Sequence, residues 1–124
     1  MIILSARPAE VPPITRRKRI PQEAIDYVVW QIAEEFQPSK VILFSSYAYG
    51  NPRPESDVDV LVIMDSSLKE SELSFQIQKS IEYNFGIDLV VKTPKDLKRR
   101  IDLGDVFLNE IVWKGKVVYE RVAR

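Results

Sequence analysis

Asp57-Val58-Asp59-Val60-Leu61-Val62-Ile63 sets two carboxylates at the head of a run that is otherwise wholly apolar. Such a run, bounded by loop residues, suits a strand buried on both faces. Alternate side chains of a strand point the same way, so Asp57 and Asp59 share a face and stand close together. Two carboxylates so placed repel, and burying them without a counter-charge would push their pKa values up. A divalent cation between them removes the conflict, and Mg²⁺ prefers carboxylate oxygens completed by water and substrate phosphates. A third carboxylate, Asp88, lies inside a further apolar run, Ile87-Asp88-Leu89-Val90-Val91. If that strand lies beside the first, the three carboxylates can hold two metal ions about a phosphate undergoing in-line displacement.

Upstream, Val41-Ile42-Leu43-Phe44 reads as another buried strand, and residues 45–56, rich in Ser, Gly, Asn and Pro, read as a loop. A turn of small residues just after a buried strand offers backbone N–H groups and hydroxyls to polyphosphate oxygens. Ser45, Ser46 and Gly50 are placed to do so. Taken alone, the two serines are ordinary turn residues.

Further out, Ile25, Val28, Val29, Ile32, Ala33 and Phe36 fall on one helical face, beginning at Pro21 and stopped by Pro38-Ser39. Leu73, Ile77 and Ile81 predict a second amphipathic helix over about 68–84, with Gly86 as its C-terminal cap. Thr93-Pro94 is a helix start, with Thr as cap and Pro in the first turn. A last short helix is expected over Asp105 to Trp113, Gly115 breaks it, and Val117-Val118-Tyr119 reads as a final strand. The order α-β-β-α-β-α-α-β predicts an α/β (α+β) fold with helices packed on a small sheet of about four strands.

A chain of 124 residues supports one domain. We divide it into a Pro-containing, basic arm at 1–20 and a folded domain at 21–124. The arm carries Arg7, Arg16, Arg17, Lys18 and Arg19 against Glu10, a balance of +4 in a chain of zero net charge. It reads as a solvated segment before the first helix, or as a contact for nucleic acid or an acidic partner. Cysteine and histidine are both absent, which excludes disulfides, thiolate zinc sites and a histidine general base. No apolar run approaches the roughly 20 residues of a membrane span, and Met1-Ile2-Ile3-Leu4 is too short for a signal-peptide core. A cytoplasmic location with no membrane association is therefore expected. Without a basic stripe outside the arm, direct nucleic-acid binding is not expected either. Trp30 and Trp113 suit packing or an interface, whereas Tyr47 and Tyr49 could stack on a base or stand exposed.

Phe44-Ser45-Ser46-Tyr47-Ala48-Tyr49-Gly50, followed by Pro54-Glu55-Ser56-Asp57-Val58-Asp59, resembles the signature of the polymerase β-like nucleotidyltransferases, Gly-Ser, ten residues, Asp-x-Asp. Ser46 stands at the signature serine, ten residues (47–56) intervene, and Asp57 and Asp59 follow in register. The strand around Asp88 resembles the one bearing the family's third carboxylate. Thr93-Pro94-Lys95-Asp96-Leu97 and Gly115-Lys116-Val117-Val118-Tyr119 are similar to the minimal nucleotidyltransferases of prokaryotes. The resemblance spans about residues 22–120. The family glycine is Ser45 here, and the basic residue often found before Gly50 is Tyr49. Glycine at the first position lets the backbone approach the triphosphate closely, where a Cβ can crowd it.

The resemblance implies a polymerase β-like fold in which Asp57 and Asp59 bind two Mg²⁺ ions. Asp88 would bind the catalytic ion and help deprotonate an acceptor hydroxyl, and Ser46 would contact the terminal phosphates of a nucleoside triphosphate, ATP being the expected one. It further implies transfer of AMP to a hydroxyl of a partner HEPN-type toxin, with the chain acting as antitoxin. The alternative is a degenerate nucleotidyltransferase-fold module that neutralises its partner by contact alone. A third reading, a phosphoryl-receiver domain, also clusters acids around Mg²⁺ but requires five parallel strands. An oligomer is compatible with any of the three.

Overall fold

The computed structural model describes residues 7–122. The opening residues read above for a signal peptide, and the first part of the arm, lie outside the described residues. After a 3₁₀ turn at Ile14–Arg16, the chain runs through α1 (Gln22–Phe36), β1 (Lys40–Phe44), α2 (Ser46–Tyr49) and β2 (Val58–Ile63). It continues through α3 (Glu70–Ser80), β3 (Ile87–Lys92), α4 (Pro94–Asp102), α5 (Val106–Lys114) and β4 (Lys116–Glu120). The eight elements expected from the sequence are all present in the expected order. Within the segment expected to be loop, residues 46–49 close one additional helical turn.

The strands form one mixed sheet in the order β3-β2-β1-β4, in which β2 and β3 run parallel and β1 is antiparallel to both of its neighbours. That arrangement excludes the five-stranded parallel receiver fold. Alternation along β1 and β2 divides the core into two layers. Val41, Leu43, Val58, Val60 and Val62 pack with α1 and α3 on one face. Ile42, Phe44, Leu61 and Ile63 pack with Leu108 and Ile111 of α5 on the other, flanked by Leu97 and Ile101 of α4. α1 buries Ala24, Ile25, Val28, Val29, Ile32 and Ala33, so its apolar stripe faces the sheet as its period requires. Removing one such Ile or Val side chain from water contributes about 1.5–3 kcal/mol.

Two expectations are corrected by contacts remote in sequence. α3 stops at Ser80 rather than near residue 84, and Ile81 is already extended. The Gln31 side chain on α1 takes the place of the helical hydrogen bonds. Its Nε2 donates to the Glu82 carbonyl at 2.9 Å, and its Oε1 accepts from the Glu82 N–H at 2.7 Å. Gly86 therefore caps no helix, and it lies immediately before β3.

The basic segment, expected to be solvated, is tied to the domain over its last residues. Ile20 is wholly buried in the α1/α3 layer, where Ala9 and Val11 also pack. Arg17 donates from Nε to the Pro54 carbonyl at 3.0 Å, and the Arg19 guanidinium lies 4.7 Å over the Tyr47 ring. No helix among the described residues is long and apolar enough to cross a membrane.

Candidate active site

Antiparallel pairing of β1 with β2 brings the C-terminal end of β1 against the start of β2, with Phe44 opposite Asp59. Parallel pairing of β2 with β3 sets Asp59 directly beside Asp88. Side chains at paired positions on neighbouring strands, about 5 Å apart, point to the same face. Asp59 and Asp88 thus share the α4/α5 face of the sheet, and alternation assigns Asp57, one residue before β2, to the same side. The condition on which the sequence reading of Asp88 rested, that its strand lies beside β2, is met.

Electrostatics couples the three. The Asp59 carboxyl is held above its ordinary pKa, first by burial, then by the negative charge of Asp88 and to a smaller degree that of Asp57. Hydrogen bonding from the Ser45 side chain pulls it the other way. Asp57 and Asp88 are exposed while Asp59 is half-buried. Among the described residues no three carboxylates converge as a ready-made metal-binding group. Like charges repel, and the two exposed side chains are free to rotate apart.

The donor set nonetheless suits a hard divalent cation. It consists of carboxylate oxygens on one face whose mutual repulsion a cation would relieve. The backbone also leaves room for one of these carboxylates, because Gly86 lies against Asp57, where a Cβ would collide with the Asp57 carboxylate.

Ser45 decides the shape of the loop. It has φ 60° and ψ −139°, a conformation that side chains resist and glycine accepts. The serine thus holds a backbone conformation that glycine accepts freely, with its side chain hydrogen-bonding toward Asp59. Its carbonyl accepts from the Ala48 and Tyr49 N–H groups, both at 3.0 Å, which closes the single turn of α2. The leading N–H groups of that turn have no intrahelical acceptor, as at any helix start.

Ser46 is the first residue of α2. Gly50 ends the turn in extended geometry, and a Cβ there would stand 2.9 Å from Ser46 Cα. Its glycine is thus required by close packing within the loop.

The two tyrosines separate. Tyr47 is buried, and its hydroxyl accepts from the Ile20 N–H at 2.9 Å, so it is a packing residue joining the basic segment to the loop. Tyr49 is exposed, with the Lys114 ammonium 5.9 Å from its ring centre. Lys114, at the end of α5, brings back to this end of the sheet a positive charge that position 49 lacks. Nothing in the spacing of residues 49 and 114 announces it, because Lys114 meets Tyr49 only in three dimensions. Trp30 stacks on Tyr27 with ring centres 6.1 Å apart, and Trp113 projects from α5, 81% exposed.

Residues 29–124 match the family Polymerase beta, Nucleotidyltransferase, and the chain belongs to it. It is 28% identical over 80 residues to a "putative protein adenylyltransferase" of Methanocaldococcus jannaschii, an alignment covering 64% of this chain and 77% of that protein. The fold is also that of a "putative nucleotidyltransferase" from Sulfolobus solfataricus, with a TM-score of 0.52, 18% identity, and coverage of 76% of this chain and 75% of that one. A mixed four-stranded sheet with helices on both faces is therefore a polymerase β-like nucleotidyltransferase fold, and the chain's role is nucleotidyl transfer.

Proposed function

We propose that the chain is a divalent-metal-dependent adenylyltransferase that moves AMP from ATP to a hydroxyl on a partner protein. The observation that carries this reading is the register of Asp59 beside Asp88, with Asp57 on the same face and the Ser45–Ser46 turn at the adjoining strand end. The name of the archaeal relative supports the adenylyl group and a protein acceptor.

Mg²⁺ ions held by Asp57, Asp59 and Asp88 would neutralise phosphate charge and favour in-line displacement at the α-phosphorus. The chain's own groups divide the remaining work. The Ser46 hydroxyl and the leading N–H groups of α2 receive the terminal phosphates. Asp88, exposed at the sheet surface, accepts the proton of the acceptor hydroxyl. The hydroxyl oxygen bonds to the α-phosphorus, the bond to the β-phosphate oxygen breaks, and pyrophosphate leaves.

A protein acceptor fits the surface around the site. Leu103, Val106, Phe107 and Trp113 are exposed on and just before α5, the helix on the carboxylate face. Phe107 meets Phe44 edge-on at 5.7 Å, and Phe44 is the strand partner of Asp59. Exposed apolar clusters of this kind mark protein contacts. We assign the acceptor to a HEPN-type toxin, which the chain would silence as its antitoxin.

The test incubates the chain with ATP labelled at the α-phosphate, Mg²⁺ and the partner. Label should pass to the partner and be lost with Asp57→Ala/Asp59→Ala or EDTA. A partner that is silenced equally well by wild type and by the double variant, with no label, would instead establish contact-only neutralisation. Ser45, whose side chain turns toward Asp59, is the observation favouring that second reading.

A further inference from the structure

We propose that Gly86 is a positioning residue whose missing side chain creates the space in which the Asp57 carboxylate stands. The proposal rests on the metal reading of the three carboxylates and adds a residue outside the family motif to it. A Cβ built at Gly86 would overlap Asp57 Oδ1 and lie 2.8 Å from Asp57 Cγ, and the three nearest heavy atoms to it all belong to Asp57.

The other crowded glycines differ in kind. At Gly50 the obstacle is the Ser46 backbone, and at Gly115 it is the Ile111 carbonyl and the Ile42 side chain. Those two serve chain packing, whereas at Gly86 the nearest atoms all belong to a candidate metal ligand.

Nor does backbone conformation explain the glycine. Gly86 is not among the residues with positive φ, so alanine would suffer no torsional penalty there. The backbone at this point cannot retreat either, because the Gly86 carbonyl accepts the Val58 N–H at 2.9 Å and so belongs to the β2/β3 ladder. With the main chain held, a methyl group at 86 must displace the Asp57 side chain, which is exposed and can swing into solvent. The fold survives that displacement, and the ligand set does not.

The experiment measures Mn²⁺ affinity by paramagnetic resonance on the full chain for wild type, Gly86→Ala, Asp57→Ala and the double variant. Gly86→Ala should melt like wild type yet bind Mn²⁺ about 10–100-fold more weakly, the usual cost of disturbing a ligand's support. Added to Asp57→Ala, it should change nothing further, since the two act through one carboxylate. Should Gly86→Ala fail to fold, the double variant should regain the fold, because the colliding atoms are gone. Wild-type Mn²⁺ affinity in Gly86→Ala, or a double variant weaker than Asp57→Ala or unable to fold, overturns the proposal while leaving the metal reading intact. A wild-type chain with no Mn²⁺ affinity overturns both.

Discussion

Ser45 occupies a backbone conformation that belongs to glycine, and comparing Ser45→Gly with Ser45→Ala measures what that costs. At φ 60° and ψ −139° its Cβ is held in a sparsely populated region, a strain of about 1–3 kcal/mol for a residue with a side chain. Both substitutions remove the hydroxyl that bonds toward Asp59, so that loss cancels in the comparison. Alanine keeps the strained Cβ and glycine discards it. Against this, glycine gives the unfolded chain more freedom, worth about 0.4–1 kcal/mol. The balance favours Ser45→Gly over Ser45→Ala by about 0–2.6 kcal/mol, against the order at an unstrained site. Urea titrations monitored by circular dichroism read the difference directly, and calorimetry should place the glycine variant several degrees above the alanine variant. An alanine variant more stable than the glycine one by about 0.4–1 kcal/mol, the order of an unstrained site, would mean that Ser45 carries no strain, and the inference that its backbone conformation belongs to glycine would fall.

Three further outcomes follow from the same geometry. Burial and the charges of Asp88 and Asp57 raise the Asp59 pKa in the folded chain, so its contribution to stability is present below the unfolded pKa and lost as pH rises through the folded one. Asp59→Asn, which keeps an acceptor for Ser45, should therefore melt above wild type at neutral pH in EDTA, with the gap closing in acid. Added Mg²⁺ should stabilise wild type alone, and a variant that melts no higher at neutral pH would contradict the repulsion. Tyr47→Phe strands the buried Ile20 N–H and should cost about 1–3 kcal/mol, with faster tryptic cleavage at residues 16–19; an unchanged denaturation midpoint would show that the bond carries nothing. Asp105, whose carboxylate accepts from the Leu108 N–H at 3.0 Å, has its pKa lowered chiefly by that bond, with the Arg100 guanidinium assisting. Asp105→Ala should melt below wild type above the ordinary carboxylate range, and the gap should vanish as pH falls through the lowered pKa; a gap independent of pH would refute the assignment.

What the sequence determined by itself is what acts over a few residues. The apolar runs and periods marked β1–β4 and α1 to within a residue or two, because burial of a strand or helix face is written at fixed local spacing, and local start and stop residues placed α5 as closely and the start of α4. Thr93 capping Asp96 is equally local, with donor and acceptor three residues apart. The common face of Asp57 and Asp59 followed from alternation alone. Everything decided at longer range required the tertiary structure. α3 ends where Gln31, 51 residues distant, captures the backbone of Glu82, and no period in residues 68–84 records that. Asp88 could be drawn into the site only conditionally, since strand order is a property of the assembled sheet. Ser45 looks like any turn residue until the folded backbone shows its positive φ. Gly86 looked like a helix cap because a glycine's neighbours in space are invisible in the chain. Its function, like that of Arg17 and Tyr47, lies in contacts between segments whose separation carries no repeating pattern, and only the folded chain brings them together.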